Sequence, residues 1–153
     1  MSVYLVRHAR ADSRRTWKGP DELRPLSKVG RKQAAAIARA RAGSGISRVA
    51  SSPFVRCRQT VEPLAKKLGL EVEIRDELAE GASPAQTLRL FEKLLDQDVV
   101  ICSHGDVLGQ LLDHLASTGV RLDPHKSEKA STWVLDITDG EVRKARYVPP
   151  PKT

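Results

Sequence analysis

Val99-Val100-Ile101-Cys102-Ser103-His104-Gly105 is the stretch whose reading decides the fold. Four apolar, mostly β-branched residues in an unbroken run read as a short strand buried on both faces. Ser103-His104-Gly105 breaks that run as a turn. Behind it Val107, Leu108, Leu111, Leu112 and Leu115 recur at helical spacing. The N-terminus repeats the theme: Val3-Tyr4-Leu5-Val6 reads as a buried strand that stops at Arg7-His8. Two buried strands each end in a histidine.

Working outward, the rest of the chain alternates in the same way. A polar, basic loop runs over residues 9–27, with Gly19-Pro20 and Arg24-Pro25 as breakers. Ser27 caps a helix carrying Ala34, Ile37, Ala38 and Arg41 on one face and ending at Gly43-Ser44-Gly45. Arg48–Ser51 reads as a strand. Ser52-Pro53 is expected to open the next helix, with Ser as cap and Pro at the first helical position. Its apolar stripe is Phe54, Cys57, Val61, Leu64, Ala65 and Leu68, and Gly69 closes it. A strand at Glu71–Ile74 and a loop from Asp76 to Pro84 lead to a helix with Leu88, Phe91, Leu94 and Leu95 on one side. After the helix at residues 107–115, Thr132–Ile137 and Val142–Tyr147 flank Asp139-Gly140 as a hairpin. The pattern predicts an α/β fold, a three-layer α/β/α sandwich around a mostly parallel sheet. A single domain over residues 1–153 suits a chain of this length.

Composition narrows the function classes. The longest apolar runs are four residues, far short of a membrane span. No basic-then-apolar leader precedes Arg7-His8, so no secretion signal is expected. Cys57 and Cys102 lack the spacing of a zinc site or a disulfide scaffold, which points to a reducing, cytoplasmic setting. The net charge is +7, and eight bases fall between Arg7 and Arg31 against Asp12, Asp21 and Glu22. That excess points to an anionic ligand. With 4% aromatic residues and only Trp17 among the loop's bases, a phosphate pocket accounts for it better than nucleic acid does.

In an open α/β sheet ligands collect at the carboxyl ends of the strands, where both Arg7-His8 and Ser103-His104 fall. A histidine beside guanidinium groups suits attack on phosphorus, because arginines screen the charge that repels a nucleophile. Arg56 lies in the first turn of its helix, whose N-terminus attracts anions. His114 and His125 have no partner at metal-ligand spacing and read as bland. Trp133 reads as core. Lys126 and Lys129, in the loop before the last strands, read first as solvated loop residues, with reach to a substrate's second phosphate as the lesser reading.

Four motifs resemble the histidine phosphatase superfamily, of phosphoglycerate-mutase-like fold, in the family's order over residues 5 to 105. They are Leu5-Val6-Arg7-His8-Ala9, Arg24-Pro25-Leu26-Ser27-x-x-Gly30-x-x-Gln33-Ala34, Ser51-Ser52-Pro53-Phe54-x-Arg56-x-x-Gln59-Thr60 and Ser103-His104-Gly105. The short chain and Arg24-Pro25-Leu26 resemble phosphohistidine phosphatases of the SixA type. Trp17-Lys18-Gly19, residues 55–65 and Ser131–Leu135 are more similar to the domain fused behind a Nudix hydrolase in actinobacterial proteins. The resemblance implies His8 as the nucleophile that becomes phosphohistidine, with Arg7, Arg56 and His104 on the phosphoryl oxygens. It also implies Glu80, in Leu78-Ala79-Glu80-Gly81, as general acid and base, with Glu77 as its rival. Ala9 stands where the family usually has Gly, and the insertions by which mutases enclose sugar phosphates are absent.

The expected activity is therefore that of a phosphatase with no metal or other cofactor. Its substrate would be a phosphomonoester, a nucleotide or a phosphohistidine protein, with Arg10, Arg14, Arg15 and Lys18 as a substrate loop favouring polyanions. The alternative is a weakly active or non-catalytic phosphate-binding module, related to a Nudix hydrolase as partner.

Overall fold

The computed structural model describes residues 1–153 and begins with the strand β1 (Ser2–Arg7). There follow α1 (Lys28–Arg41), β2 (Arg48–Ser51), α2 (Val55–Leu68), β3 (Val72–Ile74), α3 (Pro84–Lys93), β4 (Val99–Ser103), α4 (Gly105–Ser117), β5 (Thr132–Thr138) and β6 (Glu141–Val148). The strands form one sheet in the order β3-β2-β4-β1-β5-β6. Four are parallel, and the β5–β6 hairpin closes one side antiparallel. Asp139 and Gly140 both take positive φ (53° and 73°), the conformation that matches a two-residue hairpin loop to strand twist.

The continuous apolar runs are explained by burial on two sides. Alternate side chains of a strand point to opposite faces. Tyr4, Val6, Val49, Val100 and Cys102 meet Ala34, Ile37 and Ala38 of α1 and Cys57, Val61, Leu64 and Ala65 of α2. Val3, Leu5, Ala50, Val99, Ile101, Trp133 and Leu135 meet Leu90 and Phe91 of α3 and Leu108, Leu111, Leu112 and Leu115 of α4. Three layers result, as the sequence pattern predicts, and each fully buried Leu or Ile contributes about 1.5–3 kcal/mol. Trp133 is core, 1% exposed. No helix is long and apolar enough to cross a membrane.

Two expectations need correction. The second helix begins at Val55, not at Pro53, and Phe54 occupies the cap position. Ser52 is diverted: its Oγ accepts the Phe54 N–H at 3.2 Å and lies 2.8 Å from His104 Nε2. The stretch from Asp76 is not all loop, because Asp76–Leu78 forms a 3-10 turn; a second spans Asp21–Leu23. Ser27 does cap α1, accepting the Gly30 N–H at 3.1 Å.

Candidate active site

The carboxyl ends of β1, β4 and β2 lie side by side, and the next residues are His8, His104 and Ser52. The His8 backbone N–H donates to Ser103 O at 3.1 Å, which locks the first two ends together. His8 Nδ1 lies 2.8 Å from Ala9 O. A carbonyl only accepts, so Nδ1 carries the hydrogen and Nε2 keeps its lone pair. Burial, then the charges of His104, Arg56 and Arg7, lower the His8 pKa from 6.5 to about 3 against the opposing Ala9 bond. The ring is neutral at physiological pH.

His104 is fixed from behind. Ser52 Oγ accepts from the Phe54 N–H and lies 2.8 Å from His104 Nε2, which holds one edge of the ring and leaves Nδ1 without a protein partner. Phe54 packs edge-on to that ring at 4.7 Å, and His8 does so at 5.4 Å. Cys57 Sγ lies 3.5 Å from His104 Nε2; both cysteines are free and buried.

Arg56, 1% exposed, enters from the first turn of α2 with its guanidinium 4.9 Å from the Phe54 ring centroid. Nη1 donates to Asp21 O at 2.9 Å and Nη2 to Asp21 Oδ2 at 3.1 Å, with Glu80 Oε2 at 3.6 Å. Asp21 Oδ1 accepts from Arg24 Nε at 3.0 Å, so one carboxylate aligns two arginines. Burial works to raise the Asp21 pKa, but the Arg24 bond and the Arg56 charge hold it below the usual carboxylate value. Arg7 donates to Ser127 O at 2.8 Å. Gly105 gives that guanidinium room: a Cβ there would lie 3.0 Å from Arg7 Cζ.

Arg7 Nε, Arg56 Nε and His104 Nδ1 are buried without a hydrogen-bond partner. Buried donors are almost always satisfied in folded proteins, and three orphans on residues around one histidine suit a ligand with several acceptor oxygens. Arg7 and His8 line a cleft of about 630 Å³ with Arg10, Arg14, Arg24, Lys129 and the carboxylates of Asp12, Glu80 and Asp106, among others; Arg56 reaches Glu80 and His104 packs on His8 at its edge. No group of three or more His, Cys, Asp or Glu is disposed to hold a metal ion.

The expected residues divide on this geometry. Arg7, His8, Arg56, Glu80 and His104 come together, and Arg10 and Arg14 line the cleft. Arg15 and Lys18 do not; both are exposed on the far part of their loop, where Trp17 Nε1 donates to Pro20 O at 2.9 Å. Glu80 faces Arg56 and, at 3.9 Å, Arg14. Its loop is anchored by Gly81 N–H to Asp106 Oδ2 at 2.9 Å and by Ser103 Oγ to Leu78 O at 2.6 Å. Glu77 instead pairs with Arg75 at 2.9 Å, and this hydrogen bond holds its pKa below the usual value. Lys126 pairs with Glu128, and His125 with Asp113, away from the cleft.

One contributor carried no signal of its own in the sequence, and three others stood in the motifs without an assigned role. Asp21 is one acid among others in a basic loop. Thr60 Oγ1 accepts the Ala9 N–H at 2.9 Å and donates to Arg56 O at 2.7 Å, tying the His8 turn to α2. Gln33 and Gln59 accept the N–H groups of Arg10 and Leu26.

A cationic cleft over a buried neutral histidine, at the carboxyl edge of this sheet, suits a phosphorylated ligand. The model of the histidine phosphatase superfamily, branch 1, matches residues 3–84, more than half of the chain. The chain belongs to that superfamily. It is 36% identical over 156 residues to the 8-oxo-(d)GTP phosphatase of Mycolicibacterium smegmatis, covering 98% of this chain and 48% of that protein. It thus spans about half the length of that relative. The protein histidine phosphatase SixA complexed with tungstate has the same fold, with TM-score 0.74 at 22% identity over 97% of this chain and 94% of that one. Mycobacterial glucosyl-3-phosphoglycerate phosphatase complexed with VO3 shares it too, with TM-score 0.73 at 19% identity, covering 95% and 96%.

Proposed function

We propose that the protein hydrolyses a phosphorylated substrate through a covalent phosphohistidine on His8. The observation that carries this reading is the state of that ring. Its Nδ1 hydrogen is committed to Ala9 O, its Nε2 lone pair is free, and its pKa of about 3 keeps it neutral. Nε2 attacks phosphorus while the bond to the leaving oxygen breaks, and Glu80 protonates that oxygen. Glu80 then takes a proton from water as it attacks the phosphohistidine, and phosphate leaves with His8 restored. Arg7, Arg56 and His104 bind the equatorial oxygens with the donors that otherwise lack partners. Each charge-assisted bond of this kind is worth about 1.5–3 kcal/mol. The guanidinium groups supply the charge neutralisation that phosphoryl transfer needs.

The substrate class is a phosphorylated small molecule, a nucleotide or a phosphohistidine protein. The nucleotide reading draws support from the M. smegmatis relative, whose name specifies a nucleotide. A Nudix hydrolase as partner rests on sequence resemblance alone. The test is hydrolysis of an aryl phosphate without added metal by the wild type and by His8→Ala, with acid quenching to trap an acid-labile phosphoenzyme. Turnover and a phosphoenzyme in the first and neither in the second are expected. Equal rates in both would overturn the mechanism.

A further inference from the structure

We propose that Arg10 and Lys129 form a second anion subsite of the cleft, occupied by the penultimate phosphoryl group of a phosphoanhydride such as a nucleoside di- or triphosphate. This rests on the reading that His8 takes the terminal phosphoryl group. At roughly 30 Å³ per water-sized group, a phosphoryl with three oxygens fills only about a fifth of the cleft. The rest of the lining is where charge accumulates: five cations (Arg7, Arg10, Arg14, Arg24, Lys129) face three carboxylates. The carboxylates are partly spoken for, since Glu80 faces Arg56 and Arg14 and Asp106 accepts the Gly81 N–H. Arg24 is held by Asp21 and Asp12 O. Arg10 and Lys129 have no carboxylate within 4.0 Å, and neither side chain makes a hydrogen bond. Partial burial, then Arg7, Arg24, Arg10 and Arg14, keep the Lys129 pKa below the ordinary lysine value, as for a cation facing other cations.

Both side chains hang from backbone clamped to the nucleophile. Arg10 lies two residues after His8, its N–H on Gln33 Oε1 and its carbonyl accepting from Ser27. Lys129 precedes Ala130, whose N–H donates to Arg7 O at 3.1 Å and His8 O at 3.2 Å. Both cations therefore line the same cleft as His8, on the side from which a phosphoryl group in tandem with the terminal one would extend. In the reaction, His8 Nε2 forms its bond to the terminal phosphorus. The bridging P–O bond breaks, and the bridging oxygen leaves with its electron pair on the penultimate phosphoryl group, where Arg10 and Lys129 stabilise the negative charge.

The test is calorimetric titration of the full chain carrying His8→Asn, which cannot consume the probe, with orthophosphate and with inorganic pyrophosphate at fixed ionic strength. Pyrophosphate is expected to bind at least tenfold tighter. Adding Arg10→Ala with Lys129→Ala should cut that ratio below threefold, and Lys129→Gln alone should lower it part of the way. Arg15→Ala with Lys18→Ala removes the same net charge outside the cleft and should leave the ratio intact. A ratio near one at the start, or equal loss in both double variants, would overturn the subsite. Failure of the phosphohistidine reading shows separately, as equal aryl phosphate turnover with and without His8.

Discussion

Acid should loosen this protein first through His8. His8 has a folded pKa of about 3 against 6.5 for an unhindered histidine. The unfolded chain therefore binds more protons than the folded one throughout that interval. The stability contribution is fully present above pH 6.5 and is lost as pH falls from 6.5 toward 3. Integrating the linkage relation gives a loss of about 2 kcal/mol between pH 7 and pH 5, with a limiting slope of about 1.4 kcal/mol per pH unit. The perturbation that isolates it is His8→Asn, whose amide can still donate to Ala9 O but does not titrate. Urea unfolding of both proteins at pH 7, 6 and 5 provides the assay, in buffer free of phosphate because a bound anion would raise the His8 pKa. The absolute stabilities will differ, and the quantity that matters is how their difference changes with pH. Parallel curves from pH 7 to 5 would refute a buried, neutral nucleophile.

Three further outcomes are expected. Gly30→Ala would put a Cβ 1.9 Å from Arg10 O, so the backbone just after His8 must move; a stability loss of about 2–3 kcal/mol in urea unfolding is expected. Asp21→Asn should lower kcat/KM for an aryl phosphate by about tenfold, the lower end for a charge-assisted bond because Asp21 is partly exposed, whereas Glu22→Gln should not. Glu80→Gln should slow hydrolysis of an alkyl phosphate by on the order of a hundredfold, and Glu77→Gln by less than about twofold. An aryl phosphate, with its better leaving group, should suffer less from Glu80→Gln, so equal losses on both substrates would argue against Glu80 as the acid.

The two histidine-ended strands were legible because burial on both faces leaves an unbroken apolar run, and the helices because their apolar positions repeat at 3.6 residues. The start of α2 was misread for a physical reason. Ser52-Pro53 has the local chemistry of a helix start, but Ser52 Oγ is engaged by His104, 52 residues away in sequence, and no local rule reports that demand. Asp21 was invisible on the same grounds, since it meets Arg56 only after the basic loop folds back across α2. Nothing in their neighbourhoods distinguishes Lys129 from Lys126, or Arg10 and Arg14 from Arg15 and Lys18. The path of the loop does: an isolated bridge between Ala11 and Leu26 holds its near end beside the His8 turn and leaves its far end in solvent.

The stitching of residues 127–131 to the end of β1 bears on any attempt to re-engineer this chain. Ser127 O accepts from Arg7, Ala130 N–H donates to the carbonyls of Arg7 and His8, and Ser131 O accepts the Arg7 N–H. A loop-swapping experiment that imported residues 118–131 from another protein would thus replace four attachments of the strand that ends at His8. Specificity grafts should end before Ser127 and vary Lys129 by point substitution. A chimera cut inside that segment would lose turnover and selectivity together, and would mislead anyone reading the loop as a detachable module.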